Sequence, residues 1–313
     1  VRFRQKSAYS TIDGIDSTFS AMPHGTFAAL EMGGTKTVAA LGREDGSIIG
    51  EVRFPTTNPE ETLGTAITWW KEHCGPNGPD AIGVASFGPI RVDPAAPDFG
   101  MMLTTPKPGW KAFPVAAFLK SAFPDAAFAL DTDVNAAALA ESHLGAARGH
   151  SDVVYITVGT GFGAGVLSGG RLVHGAVHPE VGHLRVPRHP DDTFAGVCPF
   201  HGDCLEGMCS GPAMHRRWGI EAKDLPPEHP AWEIEAWYLA HGIIALSAVV
   251  CPSIVVLGGG VPQAEGLHER VAARVAELSN GYFEGVEKPG YVVPPALGQQ
   301  AGIIGALLLS ARA

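Results

Sequence analysis

The chain has 313 residues, long enough for two packed lobes with a large core, and an apolar content of 45% excludes a disordered chain. A formal net charge of −10, with scattered basic residues, excludes a nucleic-acid surface and would repel a phosphorylated cofactor at long range. Five cysteines, an odd count without a secretory signal, predict a reducing cytoplasm rather than a disulfide scaffold. The longest apolar stretch, Ile243–Val250, is read as too short to cross a bilayer.

The polar, aperiodic segment Val1–Gly25 is expected to be a disordered extension or a start-site artefact, with a short transit peptide as the alternative. Strands are predicted at Thr26–Glu31, Lys36–Leu41 and Ser47–Phe54, joined by the Gly33-Gly34 turn and the Asp45-Gly46 hairpin signal. A helix at Glu60–His73, a strand at Asp80–Ala85, a helix at Phe113–Ala122, a strand at Ala126–Leu130 and a helix at Asp133–Gly145 follow. The pattern then repeats: a strand at Asp152–Val158, a glycine turn at Gly159–Gly163, a return strand at Ala164–Leu167 and a third at Arg171–His174. Two such halves predict duplicated α/β lobes facing a cleft. Pro179–His201 reads as a long loop, of the kind that is functional or stapled by a metal. Helices at Gly211–Arg217 and Ala231–Val250, a strand at Ser253–Leu257, and helices at Gly266–Leu278 and Ala301–Ala311 complete the chain. The expected domains are 26–132, with the helix at 301–313 packing on it, and 133–300, which carries the loop 179–207.

Two glycine-rich bends, Gly33-Gly34-Thr35-Lys36 and Gly159-Thr160-Gly161, join paired strands, and such bends offer backbone N–H groups to phosphate. An ordinary hairpin accounts for either bend alone; one in each half is the stronger signal. Gly258-Gly259-Gly260 closes a third apolar strand, as a plain strand-to-helix turn or as a flat surface for adenine. Asp133 stands where a strand meets a helix, as an N-cap or as a general base. A carboxyl with an ordinary pKa of about 3.9 is ionised at neutral pH and can orient a hydroxyl. Cys198-Pro-Phe-His201-Gly-Asp-Cys204 has the close C-x2-H-x2-C spacing that wraps one tetrahedral ion, and His174, His178, His183 and His189 compete as the fourth ligand. A closed Cys2His2 site would be structural. Glu180, His183 and Glu206 flank it and suit sugar hydroxyls, against the plainer reading of the glutamates as surface charge.

Glu31-Met-Gly-Gly-Thr-Lys36, Asp131-Thr-Asp-Val-Asn135, Val158-Gly-Thr-Gly161, Pro179-Glu-Val-Gly-His183, Cys198–Gly207 and Val256-Leu-Gly-Gly-Gly260 stand in the order of the ROK (repressor, ORF, kinase) sugar kinases. The resemblance runs from about Thr26 to the C-terminus. Ala85-Ser-Phe-Gly-Pro-Ile90, Thr105-Pro-Lys-Pro-Gly-Trp110 and the form of the metal loop resemble the bacterial fructokinase branch, as does Glu31 where many relatives carry Asp. Thr132, where glucokinase-type relatives carry Asn, argues against a glucose-specific reading.

The resemblance implies an α/β, two-lobed, actin-like (ribonuclease H-like) ATPase fold with a central ligand cleft. It assigns Gly33, Gly34, Thr35, Lys36, Gly159, Thr160 and Gly161 to the phosphates and Gly258, Gly259 and Gly260 to the adenosine side. It makes Asp133 the base, and places Gly88, Pro89, Thr132, Glu180, His183 and Glu206 on the sugar. It selects His183 as the fourth ligand of a structural Zn²⁺, beside Cys198, His201 and Cys204. The implied reaction is MgATP-dependent phosphorylation of a hexose, fructose first, in a cytoplasmic homodimer that binds neither nucleic acid nor membrane. A mannokinase or broad hexokinase is the alternative. A sugar-sensing repressor, which the family also contains, would need an N-terminal helix-turn-helix of about 60 residues, and only about 25 precede the first predicted strand.

Overall fold

The computed structural model describes residues 25–313; the reading of Val1–Ala21 as an extension lies outside the described residues. The chain divides at Ala136/Ala137 and at Ala301/Gly302 into two units, one running up to Ala136 and including Gly302–Ala313, the other Ala137–Ala301.

The first unit opens with a meander of β1 (Phe27–Met32), β2 (Lys36–Gly42) and β3 (Ile48–Pro55). Then come α1 (Pro59–His73), β4 (Ala81–Ser86), α2 (Val115–Ala122), β5 (Ala127–Thr132) and the start of α3 (Asp133–Leu144). The sheet order is β3-β2-β1-β4-β5, with β1, β4 and β5 parallel. All six residues of β4 are buried, as expected of a central strand covered on both faces. Alternate residues of β1 (Ala28, Leu30, Met32) pack with Leu63 and Trp70 of α1 and Leu119 of α2. Helix α1 begins where the Asn58 side chain accepts the Glu61 N–H at 2.9 Å, with Pro59 in the first turn. Helix α2 begins at Val115, not at Phe113 as the apolar spacing suggests; Pro114 disfavours helical backbone at the residue before it.

The second unit repeats the plan. Strands β6 (Val153–Val158), β7 (Phe162–Ser168) and β8 (Arg171–Leu172) form its meander. They are followed by α4 (Leu205–Cys209), α5 (Gly211–Trp218), α6 (Ala231–Val250), β9 (Ile254–Gly258), α7 (Leu267–Ser279) and β10 (Val292–Val293). The order β10-β9-β6-β7-β8 matches the first sheet strand for strand, with β6 and β9 parallel. Strand β8 is only two residues long, shorter than the Arg171–His174 expectation, and α4 and β10 are too short to leave a periodic signal. The apolar run at Ile243–Val250 is the end of a longer helix: α6 spans 20 residues and is long and apolar enough, by length and composition, to cross a membrane. It is a core helix, since Trp232, Tyr238, Leu239 and Ile243 pack in the main cluster of its unit.

The last helix, α8 (Ala301–Ser310), lies against the first sheet: a Cβ on Gly83 of β4 would sit 1.9 Å from the Ala306 carbonyl oxygen. In α3 the fully buried Glu141 carboxylate accepts N–H groups from Ala146 (2.7 Å), Ala296 (3.1 Å) and Leu297 (2.9 Å). Replacing Glu141 by Ala would leave three backbone donors without that acceptor. A loss of about 3–5 kcal/mol is expected in urea unfolding; a change under about 1 kcal/mol would contradict this account.

Candidate functional site

In the first unit, Met32 of β1 is level with Ser86 of β4, and Ser86 with Thr132 of β5. The segments that follow these strands, Gly33–Lys36, Phe87–Pro89 and Asp133, therefore leave the sheet at one edge. The first is a tight bend. Gly33 N–H donates to Lys36 O at 2.9 Å, the Thr56 hydroxyl donates to Gly33 O at 2.8 Å, and Thr56 N–H donates to Thr35 O at 3.0 Å. Gly34, Thr35 and Lys36 are exposed, and a Cβ on Gly34 would meet nothing within 4 Å. Internal packing thus does not require glycine there, and the open face lets a ligand reach the main chain.

Asp133 is half-buried and is the first residue of α3; its Oδ1 accepts the Val134 N–H at 2.9 Å. The capping oxygen is the Thr132 hydroxyl, which accepts the Asn135 N–H at 3.2 Å, so the N-cap reading passes from Asp133 to its neighbour. The buried Asp131 holds the junction through Oδ1, which accepts from Thr132 N–H and Asn135 Nδ2, both at 2.7 Å.

In the second unit, Thr157 of β6 is level with Gly258 of β9, so the bend at Gly159–Gly161 and the run Gly258–Gly260 also share a sheet edge. Gly159 N–H donates to Gly161 O at 2.9 Å, and Gly159 O accepts from Gly211 N–H at 2.7 Å. Gly259 is demanded by the fold itself, because its φ is +96° and a Cβ would lie 2.3 Å from Val158 O. Gly260 has no neighbour within 4 Å of a built Cβ, which leaves that position open to a ligand. The Glu206 carboxylate reaches the bend: its Oε2 accepts the Phe162 N–H at 3.3 Å and would lie 3.0 Å from a Cβ on Gly161.

The metal loop packs against the same bend. A Cβ on Gly182, one residue before His183, would lie 2.2 Å from Phe162 O. His183, Cys198, His201 and Cys204 bring their ligand atoms within 4.8 Å of one another, and this is the cluster of that kind among the described residues. His183 Nδ1 is 3.8 Å from Cys198 Sγ and 3.6 Å from Cys204 Sγ, and His201 Nδ1 is 3.8 Å from Cys198 Sγ. Zinc–sulfur bonds of about 2.3 Å and zinc–nitrogen bonds of about 2.0–2.1 Å at the tetrahedral angle put N and S about 3.6 Å apart. The donor set therefore fits one tetrahedral ion. His178 and His189 stand elsewhere: His178 Nδ1 lies 3.5 Å from a Glu180 oxygen, and the His189 ring meets Trp237 edge-on at 5.1 Å. His174 is not in the cluster.

Main-chain pairing shapes the loop. Cys198 and Gly202 exchange N–H···O bonds, Val197 N–H donates to Gly207 O, and Arg185 and Arg188 both bind the Asp203 carboxylate. A Cβ on Gly207 would lie 1.9 Å from Gly202 O, so only glycine lets α4 start so close to the loop. Partial burial, and next the Glu206 carboxylate, push the Glu180 carboxyl from 4.5 up to about 7.

The ROK family model matches residues 27–313. The chain belongs to the ROK family. This ROK protein is 44% identical over 293 residues to the fructokinase of Zymomonas mobilis, covering 92% of the chain and 97% of that protein. It is 41% identical over 285 residues to the fructokinase of Pediococcus pentosaceus, covering 91% and 97%. Among solved structures it is similar to the ROK hexokinase of Thermus thermophilus (28% identity, TM-score 0.72, covering 91% of this chain and 97% of that one). It is also similar to a ROK glucokinase from Streptomyces griseus solved with glucose and AMPPNP (25% identity, TM-score 0.73, covering 92% and 100%). The α/β, actin-like ATPase fold is the architecture of these neighbours.

Three residues with a clear place at these edges stand in motifs of the ROK chain to which the sequence assigned no role of their own. Asp131 and Asn135 lock the junction before and after Asp133. Lys107 Nζ donates to Gly34 O at 2.6 Å, although 73 residues separate the two. Both motifs, Asp131-Thr-Asp-Val-Asn135 and Thr105-Pro-Lys-Pro-Gly-Trp110, stand out in the sequence, but no local pattern says which carbonyls Lys107 meets.

Proposed function

We propose that this ROK protein transfers the γ-phosphoryl group of ATP to a hexose hydroxyl, with D-fructose as substrate and fructose 6-phosphate as product. The observation that carries the reaction type is the shared sheet edge in the first unit, where the Asp133 carboxylate and the open Gly33–Lys36 bend both emerge. The names of the relatives, fructokinases at 41% and 44% identity over most of the chain, favour fructose.

In this reading Asp133 orients the attacking hydroxyl and accepts its proton as the new O–P bond forms and the bond to the ADP oxygen breaks. The bends Gly33–Lys36 and Gly159–Gly161 receive phosphates, and Gly258–Gly260 faces the adenosine. Gly88, Pro89, Thr132, Glu180, His183 and Glu206 hold the sugar. Magnesium, when bound, neutralises phosphate charge. Zinc, when bound to His183, Cys198, His201 and Cys204, is structural and supplies no chemistry. Ligation through Nδ1 leaves His183 Nε2–H to donate to a sugar oxygen. A cytoplasmic homodimer belongs to the same reading and is checked by sedimentation of the purified chain.

A coupled ADP-release assay over fructose, mannose and glucose, with and without a zinc chelator, tests the proposal. The highest kcat/KM on fructose is expected. Dominance of mannose, or near-equal values on all three sugars, would favour the broader-hexokinase reading instead.

Glu180 adds a pH dependence. It accepts sugar hydroxyls as a carboxylate, so fructose KM is expected to fall as pH rises through about 7, and Glu180→Gln to flatten the profile. A folded-state value above the unfolded one favours the neutral carboxyl in the fold. The contribution of this group to stability is therefore present below 4.5 and lost as pH rises towards about 7. A KM profile identical in the wild type and the Gln variant would remove Glu180 from the sugar.

A further inference from the structure

The segment Thr105-Pro-Lys-Pro-Gly-Trp110 has no role in the reading above, yet its position is tightly determined. Trp110 is fully buried, its indole N–H donates to Thr57 O at 2.8 Å, and its ring meets Phe87 edge-on with centroids 5.0 Å apart. Pro106 and Pro108 restrict the backbone on either side of Lys107, and the Thr105 hydroxyl accepts the Lys107 N–H at 3.3 Å. Lys107 Nζ is thereby delivered to the Gly33–Lys36 bend, where it donates to Gly34 O at 2.6 Å and Thr56 O at 3.1 Å. Thr56 is itself part of that bend's frame, through its bonds to Gly33 O and Thr35 O.

An ammonium group has three donors. Two are taken here by neutral carbonyls, which leave the positive charge uncompensated and one N–H for an anion. In a chain of net charge −10, a cation held at the bend has more effect on phosphate than the long-range field, which opposes it. The proline-flanked, tryptophan-anchored setting also means that little side-chain freedom remains to be lost on binding.

We propose that Lys107 is a phosphoryl-binding residue, whose ammonium, seated on the Gly34 and Thr56 carbonyls, takes the γ-phosphoryl group of ATP at the Gly33–Lys36 bend. The proposal rests on the reading of that bend as a phosphate site. During transfer the ammonium stays in place while negative charge redistributes over the phosphoryl oxygens, and it stabilises that charge without exchanging a proton.

The test is Lys107→Met, which keeps the length and removes the charge, in the full chain. The affinity for AMPPNP is expected to fall about tenfold or more, with ADP affinity changed less than about twofold, because only the former carries a γ-phosphoryl group. In turnover, kcat is expected to fall about 10²-fold with fructose KM within about twofold. An unchanged AMPPNP-to-ADP preference, or a loss confined to fructose KM, would overturn the proposal and leave Lys107 as a strap for the loop. The Trp110 indole N–H resonance reports whether the loop stays docked. If Lys107→Met displaces it, Lys107→Arg, which keeps the charge, must preserve the AMPPNP preference for the proposal to stand. Failure of the bend as a phosphate site looks different: the wild type itself would bind AMPPNP no better than ADP lacking the γ-phosphoryl group, and would phosphorylate no hexose.

Discussion

Asp133→Asn is expected to lower kcat by about 10²- to 10⁴-fold while fructose binds with nearly unchanged affinity. The substitution keeps the shape of the side chain, and the amide oxygen can still accept the Val134 N–H that Asp133 Oδ1 accepts at 2.9 Å. The cap of α3 is supplied by Thr132, and the strand–helix junction by Asp131 and Asn135, so neither depends on the charge of residue 133. What is lost is the group that takes the hydroxyl proton. Steady-state turnover and calorimetric fructose binding measured side by side check this. Wild-type kcat in the Asn variant would sink the assignment of the base, and loss of fructose binding together with kcat would make Asp133 a binding group instead.

Cys204→Ser has the second large expected effect. Structural zinc in small domains contributes about 10–16 kcal/mol of binding energy that acts as folding energy. Here the ion would close one loop on a preformed core, so a local loss of order is expected rather than global unfolding. Bound zinc should fall from about one per chain to near zero, and fructose KM should rise by about tenfold or more as His183 loses its fixed ring direction. Hydrogen exchange should rise at the amides of Val197 and Gly202, whose bonds to Gly207 O and Cys198 O shape the loop. The exposed Cys251 provides the control: Cys251→Ser should change neither zinc content nor KM. Full zinc content in Cys204→Ser would remove this cysteine from the donor set. Zinc loss with unchanged fructose KM would separate the metal from the sugar.

Much of the first unit was legible because its signals are local. The Gly-Gly bend, the Asp45-Gly46 hairpin and the apolar run of β4 each announce a strand or a turn within a few residues. The Cys198-to-Cys204 spacing was legible for the same reason. The duplication was legible because the strand–bend–strand pattern occurs twice, and the two sheets share one strand order. Boundaries slipped where a single residue overrides a pattern, as Pro114 does at the start of α2. Elements of two to five residues, such as β10 and α4, carried too few positions for any period to show.

By itself, then, the sequence determined the α/β alternation, the duplicated meanders, the glycine bends and three of the four members of the metal cluster. It did so because hydrophobic period, turn chemistry and close ligand spacing act over short stretches of chain. The tertiary structure brought His183, left open by spacing and implied by the family resemblance, to the two cysteines and His201, pressed Glu206 against the Gly161 bend and set Lys107 on the Gly34 carbonyl. Those outcomes depend on contacts between segments far apart in the chain, where distance in space is decided by packing and not by spacing along the backbone.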